Sequence, residues 1–206
     1  MSQFALDPKN VAQVLNVMPD GNSWRQTIPG FTLGAIRDSA GLTPTGATVP
    51  LVEVNSDEVR LKLATSGVRT FYAVLQIPRE YDNSRAGAQL MVQMTIYQGT
   101  GSATQTIALT AVASGMTGSA KTGYDISTQT TTATASRQTL SWDLSDELSS
   151  ASVKFKPGDA VTLKFVTSNL SEDVYITQLN AFATMGPNFQ YKPARISQYA
   201  TEQSSG

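Results

Sequence analysis

From Lys154 to Met185 the chain reads KFKPGDAVTLKFVTSNLSEDVYITQLNAFATM. Within it Val161, Leu163 and Phe165 alternate with Thr162 and Lys164. A period of two sends the apolar set to one face of a strand and the polar set to the other. A helix cannot use that pattern, because its faces repeat every 3.6 residues. Pro157-Gly158-Asp159 ahead of the run is a turn, since proline presets φ and glycine accepts a positive φ. Asn169 to Asp173 is a polar break, and Val174 to Met185 is a second extended run. Two strands of one hairpin are expected here, and they commit the chain to β structure.

The same alternation recurs upstream. Val52 and Val54 make a short run, then Val59, Leu61 and Leu63 face one way with Arg60 and Lys62 opposite. Phe71, Ala73, Leu75 and Ile77 form the next inward set, stopped by Pro78, which cannot donate to a ladder. Leu90, Val92, Met94 and Ile96 alternate with Met91, Gln93, Thr95 and Tyr97. After the Gly99-Thr100-Gly101 turn, Ile107, Leu109, Ala111 and Ala113 continue the pattern on a return strand. Residues 114–136 have few large apolar groups and read as a long loop, leading to a strand that is core-facing at Leu140, Trp142 and Leu144. Asp146 to Ser152 fits a single helical turn. No strand–helix alternation appears, so a parallel α/β architecture is not expected. The expected fold is all-β: an antiparallel, jelly-roll-like sandwich of about eight strands over residues 50–185.

Composition narrows the chemistry. There is no Cys and no His among 206 residues, so disulfides, thiolate and Ser-His-Asp mechanisms and the usual zinc sites are ruled out. A net charge of −1 offers no electrostatic case for nucleic acid or an anionic membrane. Charged residues are 15% of the chain, against roughly a quarter in an ordinary soluble protein. The polar surface must therefore be made of Thr, Ser, Gln and Asn. No window approaches the ~20 apolar residues of a membrane span. MSQFALDPKN lacks the pattern of a signal peptide, so synthesis in the cytoplasm is expected.

The sandwich is flanked by two segments of different character. In residues 1–49, Val11, Val14, Leu15 and Met18 would share a helix face, or would line an extended arm. Residues 20–50 are rich in Gly, Pro, Ser and Thr, with one candidate strand at Phe31 to Ile36. They read as an arm on a neighbouring subunit or as a surface meander anchored by Trp24 and Phe31. Residues 186–206 carry Phe189, Tyr191, Ile196 and Tyr199 without a strand pattern, so this tail folds back or docks on a partner.

Candidate sites are few. Asp143, Asp146 and Glu147 form the closest carboxylate cluster, but their spacing matches no EF-hand loop. Asp57-Glu58 and Glu172-Asp173 read as solvated turn acids, and Arg79 with Glu80 to Asp82 as a surface ion pair. Asn169-Leu170-Ser171 matches a glycosylation acceptor, which has no use without secretion. Trp24, Trp142, Tyr97 and Tyr124 could stack on sugars; Trp142 reads as core and Tyr124, in a Gly-rich loop, as the best of the four. Arg60, Lys62 and Arg69 decorate strand faces without an aromatic-interleaved patch. No catalytic, cofactor-binding or metal-binding residue is assigned, and no enzyme activity or cofactor is expected.

The run Leu51 to Asn83, with its LKL strand, its FYAVLQIP strand and its PREYDN loop, resembles virion β-sandwich proteins of tailed bacteriophages. So do FKPGDAVTLKF and ITQLNAFATM. The likeness spans residues 50–185 and contains no diagnostic motif. It implies a virion structural protein, a capsid decoration or other shell or tail subunit, working as a symmetric homo-oligomer, with a trimer the expected form. Its partners would be its own copies and other virion proteins, with no nucleic acid or membrane. The alternative is a carbohydrate-binding or adhesin-type β-sandwich module with a glycan partner.

Overall fold

The computed structural model describes residues 24–27, 36–45, 49–79, 81, 88–114, 123–145 and 155–185, with the backbone alone for 24–27, 113–114 and 184–185. The helical turn expected at Asp146 to Ser152 and the tail from residue 186 onward lie outside the described residues. Ten strands and no helix occur among them. They are β1 (Trp24–Thr27), β2 (Leu51–Asn55), β3 (Glu58–Leu63), β4 (Thr70–Gln76), β5 (Leu90–Gln98), β6 (Thr106–Ser114), β7 (Tyr124–Thr130), β8 (Gln138–Asp143), β9 (Ala160–Thr167) and β10 (Val174–Met185).

One sheet runs β2-β3-β10-β5-β8, with β1 also paired to β10; the other runs β4-β9-β6-β7. All pairings are antiparallel. Counted from β3, the first sheet takes the first, eighth, third and sixth strands and the second sheet takes the second, seventh, fourth and fifth. That is jelly-roll wiring, with β1 and β2 added outside the eight. For brevity the two are called the β10 sheet and the β9 sheet.

The strands of Lys154–Met185 do not form a hairpin. β9 pairs with β4 and β6, whereas β10 pairs with β3 and β5. The chain crosses between sheets at residues 168–173, so the buried faces of β9 and β10 look at each other across the core. Alternation says that a strand is half-buried; it is identical for a hairpin and for an arch between sheets. β5 and its return strand β6 are split in the same way.

The strand centres are buried as the alternation predicts. Leu90, Val92, Met94, Ile96, Leu163 and Phe165 are fully buried, as are Phe71, Leu75 and Trp142. Phe165 stacks on Phe71 at 4.9 Å between ring centroids and meets Trp142 edge-on at 5.5 Å, tying β9, β4 and β8 through one ring. The PGD turn also forms: Gly158 takes φ +84, and Asp159 accepts a hydrogen bond from the Lys156 amide at 2.9 Å.

Three readings are corrected. Residues 124–130 are a strand, not a loop; β7 is the edge of its sheet, held by backbone pairing to β6 with Ile126 as its buried apolar residue. Val59 and Val54 are register partners on the inward side, next to the β2–β3 turn, but stay 50% and 71% exposed. Part of the N-terminal segment is built into the sandwich: β1 pairs with the end of β10, Ile36 is fully buried, and Arg37 bridges Tyr72 on the free side of β4.

Phe165→Ala should cost about 3–5 kcal/mol, because the cavity would open where three strands meet. Denaturant unfolding measures it, and a cost below about 1 kcal/mol would contradict this packing.

Candidate functional site: the two outer sheet faces

One end of the sandwich is fixed by a single carboxylate. Glu172, in the β9–β10 crossing, is buried. Its two oxygens accept from the Thr100 amide at 2.7 Å and hydroxyl at 2.7 Å, the Gly101 amide at 2.7 Å, the Ser102 amide at 2.9 Å and hydroxyl at 3.3 Å, and the Ala103 amide at 3.1 Å. Backbone N–H groups converging on one anion make a nest. Burial alone would raise the Glu172 pKa; the hydrogen bonds from Thr100, Gly101 and Ala103 overcome it and hold the carboxyl at about 2. Gly101 is required in this turn, since it has φ +67 and a Cβ would lie 2.2 Å from the Ala135 nitrogen. The nest is filled by the chain's own carboxylate and is structural.

The outer face of the β10 sheet carries a closed polar network near β2 and β3. Tyr97 of β5 and Tyr175 of β10 are register partners whose rings stack at 4.9 Å. The Arg60 guanidinium lies 3.9 Å from the Tyr175 ring centroid, donates to the Tyr97 hydroxyl and pairs with Glu53 at 2.6 Å. Lys62 pairs with Asp173 at 2.8 Å, and the Arg137 guanidinium donates to Glu58. Asp173 also accepts from the Thr65 amide at 2.8 Å. Burial would raise the Asp173 pKa, but Lys62 and that amide pull it below the ordinary value. Asp173 in turn raises Lys62, and burial raises the Tyr175 phenol.

The outer face of the β9 sheet is different. Its outward residues are Thr70, Tyr72, Val74 and Gln76 on β4, Thr162, Lys164 and Val166 on β9, Ala108, Thr110 and Val112 on β6, and Asp125, Thr128 and Thr130 on β7. Lys164 and Asp125 are the two charged residues in these four strands. Neither forms an ion pair with a described residue. Val74 is 53% exposed; Val68, in the β3–β4 connection, and Leu42 are 56% and 66% exposed.

The residues singled out in the sequence scatter. Asp143 accepts from the Ser145 amide at 2.8 Å, while Asp146 and Glu147 lie outside the described residues. Among the described residues no group of acids could hold a metal ion. Tyr124 opens β7 and packs, half-buried, against the core; Trp142 is core. Trp24 is described by its backbone alone, and Glu80 and Asp82 lie outside the described residues. Arg60 and Lys62, read as isolated, do interleave with aromatics, because β3 and β5 flank β10. Arg69 is in the β3–β4 connection and donates to the carbonyls of Ala64 and Thr65, each at 2.9 Å. Glu172 and Asp173, read as solvated, hold the crossing together. The signal that could have found Glu172 is the T-G-S run at residues 100–102, a turn rich in small donors, but its partner lies some 70 residues away.

No protein-family model matches the chain, and no curated protein matches its sequence. Solved structures share its architecture. The N-terminal modules of Clostridium thermocellum endo-1,4-β-D-xylanase 10B match at 13% identity and TM-score 0.41, over 82% of this chain and 29% of that one. The C-terminal family 22 carbohydrate-binding module of the same organism's Xyn10B matches at 14% identity and TM-score 0.39, over 82% and 98% of the two chains. A chain of infectious bursal disease virus, Gx strain, matches at 11% identity and TM-score 0.44, over 93% and 37%. The chain is thus similar in fold to β-sandwich modules and to a viral protein, and only fold is shared at this distance.

Glu172 predicts an acid limb. Between about pH 4.5 and 2 the unfolded chain binds a proton at this residue that the folded chain does not, so stability present above that window is lost as pH falls through it. Glu172→Gln should lose on the order of 2 kcal/mol at neutral pH and flatten the acid limb. Urea unfolding at a series of pH values checks both, and an unchanged limb in the variant would contradict the assignment.

Proposed function

We propose that this chain is a structural subunit of the virion β-sandwich kind, a capsid decoration or other shell or tail component, that works by binding its own copies and neighbouring proteins rather than by catalysis. The observation that supports this reading is the outer face of the β9 sheet. It is built largely from Thr, Val and Ala, bears two charges, Lys164 and Asp125, that form no ion pair among the described residues, and leaves Val74 half in solvent. With two charged residues among its outward positions, this face is closer to the charge-depleted core of an interface than to an ordinary charged surface. The virion setting comes from the sequence resemblance, and the fold is compatible with it.

A second reading, a glycan-binding module, draws on Tyr97 and Tyr175, which are aromatic, partly exposed and flanked by hydrogen-bonding side chains. Against it, the two rings occupy each other's faces and Arg60 lies over Tyr175.

Sedimentation of the full-length protein at tens of micromolar should give more than a monomer, and Val112→Lys, on the central strand β6, should reduce the mass toward a monomer while the circular dichroism stays β. A monomer throughout would overturn the subunit reading. Retardation in gels containing soluble polysaccharide, abolished by Tyr97→Ala, would move the assignment to glycan binding.

A further inference from the structure

The two charges on the β9 sheet are placed in a particular way. Tyr72, Lys164, Thr110 and Asp125 are successive register partners across β4, β9, β6 and β7, so they form one row at right angles to the strands. Thr110 stands midway between Lys164 and Asp125. A bulge between Leu109 and Thr110 makes this so: the register skips Ile126 and brings Asp125 opposite Thr110, whose hydroxyl donates to it at 3.0 Å. Lys164 and Asp125 therefore lie on one face, one strand to either side of β6.

We propose that this face docks on the same face of a second copy of the chain, about a two-fold axis running along β6, so that Lys164 of each copy meets Asp125 of the other. The proposal rests on the subunit reading above and adds the partner and the geometry. Two sheets packed face to face are related by an axis lying between them, either along the strands or across them. An axis across the strands through this row sets Lys164 against Lys164 and Asp125 against Asp125. An axis along β6 reverses the order of the row and gives two opposite-charge pairs. Stacked sheets sit about 10 Å apart, a gap a lysine side chain reaches across. Burying either charge unpaired is unfavourable, which selects the axis along β6.

The rest of the face suits this partner. Val112 on the axis strand and Thr162 beside it can approach closely, being small or β-branched and uncharged. About an axis along β6 the three strands β9, β6 and β7 face their copies, an overlap of about 14 Å by about 23 Å from ordinary strand spacing and rise. That is about 320 Å², well short of the ~800 Å² per partner of a standard stable complex. The pair is therefore expected to be weak and concentration-dependent by itself. In a shell it would gain from many such contacts acting together.

The test is charge reversal read by sedimentation equilibrium across micromolar to submillimolar concentrations. Lys164→Asp and Asp125→Lys each place like charges opposite one another twice per dimer. Each should weaken self-association about tenfold or more, and the Lys164→Asp/Asp125→Lys double variant should return it to within about threefold of the parent. Raising the salt should weaken the parent and relieve the single variants. Both residues point to solvent in the single chain, so circular dichroism and thermal unfolding should be unchanged. Self-association that is sensitive to Val112→Lys yet indifferent to charge reversal would leave the subunit reading in place and overturn this geometry. A double variant as weak as the singles would overturn it too. Association lost on removing residues 186–206, with the charge variants neutral, would make the tail the occupant of the face.

Discussion

The Glu172 carboxylate is the fixed point of the fold. A jelly roll must carry its chain from sheet to sheet, and four of those crossings gather at one end here. The β9–β10 crossing supplies Glu172, and the β5–β6 crossing wraps it with four amides and two hydroxyls. Asp173, next in the chain, takes the Thr65 amide of the β3–β4 crossing. Buried Gln98 brings in the β7–β8 crossing, donating to Thr131 at 3.0 Å and accepting from the Thr134 amide at 3.2 Å. Hydrophobic packing holds the two sheets together without setting their offset, because it is non-directional. Directional hydrogen bonds to a buried charge do set it. Removing the carboxylate would take the acceptor from four partly buried amides at once.

That fixed end gives the outer faces their shapes and lets each be used differently. On the β10 sheet the charged groups near β2 and β3 satisfy one another. Arg60 joins Glu53, Tyr97 and Tyr175, and Lys62 joins Asp173. Such a network rigidifies a surface and leaves little for a ligand to bind. On the β9 sheet most outward side chains are Thr, Val and Ala, and its two charges, Lys164 and Asp125, form no ion pair among the described residues. A flat face of this kind, on a scaffold whose offset is set elsewhere, can meet its copy without rearrangement.

The strands were legible in the sequence because burial on one face writes a period of two. Leu90 to Tyr97 and Val161 to Phe165 needed nothing more. Their pairing was not legible. An arch and a hairpin place the same residues in the same alternation, so β9 and β10 read as neighbours although they lie in different sheets. β7 was missed because an edge strand is held by its backbone and buries little. The polar sites were hidden for a related reason. Glu172 meets Ser102, and Arg60 meets Tyr97, only after strands distant in sequence come together. The row from Lys164 to Asp125 depends on a bulge that no residue pattern announces. Compositional signals, no His, no Cys and few charges, turn attention from catalytic motifs to surfaces, but they carry no address.

The central claim is that the β9 sheet presents the working surface and the β10 sheet does not. Hydroxyl-radical footprinting of the full-length protein, read by mass spectrometry in dilute and in concentrated solution, tests it side chain by side chain. Labelling of Val112 and Val166 should fall on concentration while that of Tyr97 and Tyr175 stays constant. Constant labelling of the β9 sheet, or protection that appears at Tyr97 and Tyr175 instead, would contradict the account.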